Sequence, residues 1–179
     1  MTGLDTEKDT ILEIACFVTD HKLNLLDDRG FEVVIHHNKV ALGQMNEWCI
    51  QHHGESGLTA AALSSTISPE QAATDLLNYI KQYVPRKGTA QLAGNTVHMD
   101  KMFLMKVPYN TVTEYLHYRI LDVSAIKEAA RRWAPAEALK GIPSKKKAHT
   151  AKADILESIE EARYYQKTFF SGGNVDQAS

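Results

Sequence analysis

The sequence has few cysteines, no long apolar run and no recognisable secretory leader. Its two cysteines, Cys16 and Cys49, lie in apolar segments without the spacing of a metal site, so we expect buried thiols in a reducing compartment. No apolar run approaches the ~20 residues that a membrane-spanning helix needs. These absences argue against a disulfide-stapled scaffold and against membrane insertion of this segment.

Common nucleotide and metal motifs are missing as well. The sequence contains no G-x-G-x-x-G, no G-x-x-x-x-G-K-[ST], no H-E-x-x-H and no paired C-x-x-C. Its net charge of -2 and its pI near 6.4 argue against avid binding of long nucleic acids, because that mode needs many Lys and Arg contacts to phosphates. A ligand with only a few phosphates is compatible with this charge.

What the sequence contains is the pattern of one α/β domain. The 179 residues suffice for one buried core, and we place the domain at residues 1–170, with a disordered tail at 171–179. The first two strands are expected to be antiparallel, joined by a hairpin connection, and the later ones to alternate with helices. Apolar and β-branched runs predict strands at Ile11–Thr19, Phe31–His37, 89–94 and Tyr118–Val123.

The clearest helix begins after Ser68. This serine is a favourable N-cap, Pro69 suits the first helical position, and Gln71 completes a capping box. A second periodic segment predicts a helix at Ser124–Trp133 with Trp133 on its apolar face. Further helices are predicted at 40–53, 54–65, Val97–Met105 and Thr150–Thr168.

One histidine and two aspartates have the pattern of metal-dependent hydrolysis. His149 precedes Asp154 by five residues, about 140° of helical rotation, so we place Asp154 within the last helix and His149 on the loop before it. The aspartate would hold a cation while the neutral imidazole takes a proton from the attacking water. Asp100 follows a strand, near the edge of the sheet where α/β proteins bind ligands. Taken singly, each residue also fits a plain structural role, such as an acid at a helix start.

Each of two aromatic clusters also allows two interpretations when it is taken alone. Tyr118 and Arg119 would stack a base and clamp a phosphate, or else lie in the core and on the surface respectively. Trp48 beside His52 and His53 is either a stacking platform or one buried indole with histidines at its margin.

The order of these segments along the chain is more informative than any one of them. MTGLDTEKDTILEIA, GNTVHMDKMFL, LHYRILDVS with KEAARRW, and AHTAKADILESI together resemble the oligoribonucleases over about residues 1–170. His149, Ala151 and Asp154 satisfy H-x-A-x-x-D, while SGLT and HYRILDVS are particular to oligoribonucleases among the DEDDh 3′→5′ exonucleases. The resemblance implies a ribonuclease H-like α/β fold, with a mixed sheet flanked by helices.

The resemblance also implies a reaction, namely hydrolysis of very short oligoribonucleotides to mononucleotides by two divalent cations, Mg²⁺ or Mn²⁺. Asp100 and Asp154 would be two of the four metal-binding carboxylates, and His149 the general base. Leu4 would wedge against the bases. Tyr118 and Arg119 would reach across a homodimer into the partner's site. Besides Leu4, the residues expected to bind the substrate are Trp48, His53, Thr96, Tyr118, Arg119 and Ser124. Thr96 replaces the expected serine but keeps its hydroxyl.

One departure from the family is serious. The first family motif, D-x-E on the opening strand, directly precedes M-T-G-L, with which this sequence begins. Asp5 and Glu7 come after the turn and do not match it. We therefore expect the first strand and two of the four metal ligands to be missing, through a fragment or a mispredicted start, and the chain as given to be inactive.

Two other classes of function stay open on the sequence. The main alternative is a catalytically inactive, dimeric oligonucleotide-binding homologue that has lost its metal site. A related nuclease acting on DNA ends or RNA tails is disfavoured by HYRILDVS. Relatives occur in the cytosol and in mitochondria, so we expect cytoplasm or mitochondrion. The chain as given shows no targeting segment.

Overall fold

Four short strands form two separate pairs in the computed structural model, which describes residues 1–143 and 151–170. The first pair is antiparallel and the second is parallel. Among the described residues, the two pairs do not join into one sheet. Their bounds are β1 Glu13–Cys16 and β2 Phe31–Val34, then β3 Leu92–Gly94 and β4 Ile120–Asp122.

Helices connect and cover these strands, so the α/β class is confirmed. None of the described helices is long and apolar enough to cross a bilayer. Their bounds are α1 Lys39–Gly43, α2 Glu47–Glu55, α3 Leu58–Ser64, α4 Pro69–Tyr83, α5 Val97–Leu104, α6 Asn110–Tyr115, α7 Val123–Trp133, α8 Ala136–Lys140 and α9 Ala151–Tyr165, and a π-helical turn follows at Gln166–Phe170.

The helix predicted at 40–53 is in fact two helices, α1 and α2. Each begins with its own asparagine cap. The Asn38 side chain accepts from the Ala41 N–H at 2.9 Å, and the Asn46 side chain accepts from the Cys49 N–H at 2.8 Å. The second cap satisfies amides at a new helix start, so it interrupts the periodic pattern that suggested one helix.

Helix α4 begins where the sequence predicts. The Ser68 hydroxyl accepts from the Gln71 N–H at 3.2 Å, and Pro69 is the first helical residue. The predicted capping box is only half right, because the Gln71 amide donates to Asp75 at 2.7 Å. An acceptor one turn ahead on the same helix thus holds the side chain that was expected to bond back to the cap.

One predicted strand boundary and one predicted core position are wrong for the same physical reason, the lack of a covering neighbour. The strand predicted at Ile11–Thr19 is regular only in β1, which pairs on one edge with β2, and Thr19 makes a single bridge to Leu25. Trp133 is 82% exposed although it continues the apolar face of α7. It stands at the last position of that helix, beyond the packed part.

The core lies in three clusters around the strands. The first joins α4, α5 and α6 to β1 and contains Ile14, Ile35 and Phe103. The second packs α1, α2 and α3 around the fully buried Leu12. The third joins α7 to α9 through Val123, Ala130, Ala162 and Tyr165. Because α9 also packs against β1 and β3, the third cluster fixes the helix that carries Asp154.

Candidate active site

A groove of about 1630 Å³ separates the two strand pairs. One wall is formed by β1 and the residues after it, and the facing wall by β3. Apolar side chains of α4 and α5 line its interior, among them Leu76, Ile80 and Phe103. The groove therefore has an apolar floor, although acidic residues also line it.

Five acidic residues line this groove, and two of them, Asp100 and Asp154, are the predicted metal ligands. Asp100 lies in the first turn of α5 and Asp154 in the first turn of α9. Burial raises the pKa of Asp100. Burial also raises the pKa of Glu13 on β1, and the nearby charges of Glu32 and Asp154 add to this effect. A cation would relieve the cost of holding these carboxylates charged in a poorly solvated place.

Glu13 was not predicted as a site residue. The backbone of Ala151, the first described residue of α9, opposes this rise in the pKa of Glu13. Glu13 therefore lies beside the start of the described part of the helix that carries Asp154. The signal in the sequence is a single acid inside the otherwise apolar run ILEIACFV.

The N-terminal turn is organised around Asp9. Its carboxylate accepts from the Thr2 hydroxyl at 2.9 Å and from the Asp5 N–H at 2.8 Å. A Cβ on Gly3 would lie 2.3 Å from an Asp9 oxygen, so a larger residue at this position would displace the Asp9 carboxylate from these hydrogen bonds. The turn leaves Leu4 70% exposed, a placement compatible with contact to a ligand outside the chain.

His53 and Trp48 line the groove on the side of α2. The Nε2 atom of His53 lies 2.9 Å from the Met1 carbonyl oxygen. Burial lowers the pKa of His53, although the bond to Met1 opposes that change. Trp48 is 62% exposed and its ring stacks on His52 with centroids 4.0 Å apart. The interpretation of Trp48 as a buried indole is therefore wrong, and its role as a stacking platform stays a prediction.

Thr96 and Ser124 are brought together after the ends of β3 and β4. The Thr96 N–H donates to the Ser124 hydroxyl and to Asp122, both at 3.0 Å, and the two hydroxyl oxygens are 3.3 Å apart. Thr96 adopts φ of 56°, in the left-handed region that β-branched residues rarely occupy. Such strain persists only where the surroundings enforce it.

A buried polar network connects this pair to α9. The Asn95 amide donates to Ser158 at 2.9 Å and to Glu161 at 3.3 Å, and its carbonyl oxygen accepts from Ser124 at 3.4 Å. Glu161 is 2% exposed and is paired with Lys127 at 2.9 Å. The turn after β3 and the helix carrying Asp154 are thus held as one unit.

Tyr118 and Arg119 are not among the residues that line the groove. Tyr118 is 70% exposed, stacked on His117 and covered by the Arg119 guanidinium at 5.2 Å. Lys101 holds the Tyr118 carbonyl at 2.6 Å. The core interpretation of Tyr118 is therefore wrong, and the pair projects from the surface.

Comparison with known proteins identifies the family. The exonuclease family model RNase_T matches residues 1–162. A "Probable oligoribonuclease" of Dictyostelium discoideum is 49% identical over 95% of this chain and 86% of its own length. The mitochondrial oligoribonuclease of Homo sapiens is 46% identical over 95% of this chain and 70% of its own length. The oligoribonuclease of Pseudoalteromonas atlantica is 43% identical over 96% of this chain and 92% of its own length.

The chain belongs to the oligoribonuclease family. The resemblance in the sequence and its ribonuclease H-like exonuclease fold are thereby confirmed. Of the residues expected from the oligoribonucleases, the structure gathers Trp48, His53, Asp100 and Asp154 on one groove. His149 lies outside the described residues, as does the tail at 171–179.

Proposed function

We propose that this chain is the catalytic domain of a 3′→5′ exoribonuclease that degrades very short oligoribonucleotides to mononucleotides. The observation that carries the proposal is one groove lined by Asp100, Asp154, His53 and Trp48, in a member of the oligoribonuclease family. Relatives named mitochondrial oligoribonuclease and a bacterial relative make the mitochondrion and the cytoplasm the proposed compartments.

The carboxylate oxygens in the groove suit a hard divalent cation, but the described residues do not supply enough of them for a complete metal site. Carboxylate oxygens are the ligands that Mg²⁺ and Mn²⁺ prefer. Within residues 1–143 and 151–170, no three acidic, histidine or cysteine side chains are grouped so as to hold a metal. We propose that Asp100 and Asp154 supply two of the four carboxylates of a two-cation site. Bound there, the cations would polarise the phosphate and acidify a water.

The remaining roles fall to side chains of this chain. His149 takes the proton of the attacking water in this proposal. Trp48, which lines the groove, and Leu4 contact the bases, since both present exposed apolar surface. Thr96, Ser124 and His53 bind the terminal phosphate with hydroxyl and imidazole groups. The few contacts suit a substrate of a few nucleotides, in agreement with the acidic pI.

A homodimer completes the proposed site. Tyr118 and Arg119 are exposed and are not among the residues that line the groove of their own chain. A stacked Tyr–Arg pair matches a nucleotide, because the ring stacks on a base and the guanidinium pairs with phosphate. We therefore assign this pair to the partner's substrate.

A catalytically inactive oligonucleotide-binding homologue is the second candidate. It is favoured by one observation, the lack of a complete set of metal ligands among the described residues. This candidate keeps the stacking and phosphate contacts but releases no product.

The experiment uses the chain with a D-x-E strand prefixed to Met1, in Mn²⁺. We expect mononucleotide release from a 5′-labelled diribonucleotide, and much slower release from a 24-residue RNA. The matched control carries Asp100→Asn in the same extended protein and should lose cleavage while it retains its fold by circular dichroism. Equal rates on both RNA lengths would contradict the proposed substrate class, and binding without cleavage would favour the second candidate.

A further inference from the structure

The turn between β3 and α5 has a conformation that its own sequence does not favour. Thr96 directly precedes α5, where a threonine with extended backbone would cap the helix with its hydroxyl. Its backbone is left-handed, and its side chain makes no capping hydrogen bond. Because a β-branched residue is strained in this conformation, contacts from elsewhere in the fold must enforce it.

One oxygen atom of Asp122 supplies such a contact. Oδ1 of Asp122 accepts from the Thr96 N–H at 3.0 Å and from the Ser124 N–H at 2.9 Å. The second of these bonds caps α7. The Asp122 side chain is only 16% exposed, so water competes little for these bonds. A single carboxylate oxygen thus joins the turn after β3 to the first turn of the helix after β4.

These contacts set the orientation of two hydroxyl groups. The Thr96 N–H also donates to the Ser124 hydroxyl oxygen at 3.0 Å, so that oxygen is used as an acceptor and its proton is left for donation. The Ser124 hydroxyl meets the Asn95 side-chain oxygen at 3.4 Å and the Thr96 hydroxyl oxygen at 3.3 Å. Both distances are long for O–H···O hydrogen bonds. A phosphate oxygen, being charged, would be a better acceptor than either.

The hydroxyl pair lies beside the groove. Asn95 and Val97 line the groove on either side of Thr96 in the sequence, and Thr96 is exposed. Asp122 itself is unsuited to bind a phosphate, because two negative charges repel each other. Its Oδ1 is moreover engaged by two backbone amides. Asp122 can therefore serve a phosphate only through Thr96 and Ser124.

We propose that Asp122 is a positioning residue for the terminal phosphate of the substrate. Its carboxylate holds Thr96 and Ser124 so that their hydroxyls donate to that phosphate, and it acts by geometry and not by charge. An enzyme that works from the 3′ end of a chain leaves the terminal phosphate at the 5′ end. The proposal rests on the proposed function, because it requires that Thr96 and Ser124 contact this phosphate.

The first measurement needs no RNA. Amide hydrogen exchange of the 179-residue chain reports whether the Thr96 N–H keeps its acceptor. Exchange at Thr96 should become about tenfold faster in Asp122→Ala, but change less than about threefold in Asp122→Asn, which keeps an oxygen acceptor. The control Ser68→Ala removes the cap of α4 and should leave exchange at Thr96 unchanged. Unchanged exchange at Thr96 in Asp122→Ala would overturn the proposal.

The second measurement is the preference for a 5′-phosphate. Calorimetric titration in EDTA, where no metal supports cleavage, compares the affinities for diadenylate with and without a 5′-phosphate. The natural chain should prefer the phosphorylated form, and Asp122→Ala should reduce this preference at least about fivefold. Asp122→Asn should retain or increase the preference, since it keeps the acceptor and removes a repelling charge. A similar change in both variants would show that Asp122 acts by charge and would overturn the proposal.

The outcomes separate this proposal from the proposed function. A merely structural role of Asp122 would weaken the binding of both dinucleotides equally, and an unchanged preference in Asp122→Ala would overturn the proposal alone. A natural chain that binds neither form, or both equally, contradicts the phosphate contact of Thr96 and Ser124, and the role of Asp122 with it. If Asp122→Ala fails to fold, Asp122→Ser decides, because serine caps α7 but its shorter side chain should lose Thr96.

Discussion

Substitution of Glu161 should destabilise the fold more than substitution of any acid on the exposed face of α9. The Glu161 carboxylate is paired with Lys127 at 2.9 Å and accepts from the fully buried Tyr165 hydroxyl at 2.8 Å. In Glu161→Ala, the Tyr165 hydroxyl loses its partner, which costs about 1–3 kcal/mol. The Lys127 side chain is 26% exposed, so hydration of its ammonium group offsets part of the attraction that is lost with Glu161.

The expected loss is about 3 kcal/mol in the free energy of unfolding, at the lower end of the range for breaking a buried ion pair. For a chain of this size, it corresponds to a fall of about 6–12 °C in melting temperature. The matched control is Glu160→Ala, which removes an exposed pair with Arg163 and should cost less than about 1 kcal/mol. Urea unfolding followed by circular dichroism measures both. Similar losses in the two variants would refute the assigned role of the network.

The same residue predicts a pH dependence. Burial raises the pKa of Glu161, but hydrogen bonds from Lys127, Tyr165 and Asn95 outweigh burial, so the pKa is lowered in the folded state. A carboxyl with a lowered folded pKa stabilises the fold above its ordinary pKa and loses that effect as the pH falls through the folded value. The difference in free energy of unfolding between the natural chain and Glu161→Ala should therefore become smaller at acid pH. A difference that grows at acid pH would contradict this assignment.

Three further predictions concern the site. Thr96→Gly should raise the free energy of unfolding by about 1 kcal/mol, since glycine tolerates the φ of 56°. The control Thr113→Gly, within α6, should lower the free energy of unfolding. Urea unfolding measures both, and a loss of stability in Thr96→Gly would argue against backbone strain at this position. In the protein extended by the D-x-E strand, His149→Ala should lower kcat far more than it changes KM, and an equal loss of binding would point to a structural role. Also in the extended protein, Arg119→Ala and Asp100→Asn should each be nearly inactive alone, yet mixed dimers should regain activity because one site then has both residues; no recovery would contradict contact across the dimer.

The sequence predicts best where a structure is determined locally. Ser68 and Pro69 define the start of α4 because the cap and the first helical residue adjoin each other. The apolar period correctly predicts that α7 exists, but it places Trp133 in the core, since periodicity does not say where the covering elements end.

The polar contacts of the site depend on distant parts of the chain and are less predictable. Asn95 meets Glu161 across 66 positions, and the pKa of Glu13 on β1 responds to Asp154 and to the backbone of Ala151 on α9. No local pattern marks such a pair before the fold brings it together. The family motif located Asp100 and Asp154, whereas Glu13, Asn95 and Glu161 emerged only from the packing of α9 against β1 and β3.

The most direct measurement is Mn²⁺-stimulated cleavage of a diribonucleotide by the chain as given and by the same chain with a D-x-E strand prefixed. The proposed function predicts background release of mononucleotide from the first protein and sustained release from the second, because Asp100 and Asp154 supply only two of the four carboxylates. A third protein with N-x-Q in the prefix separates the effect of the carboxylates from that of the added strand. Robust cleavage by the chain as given, or none by the extended protein, would contradict this account of the site.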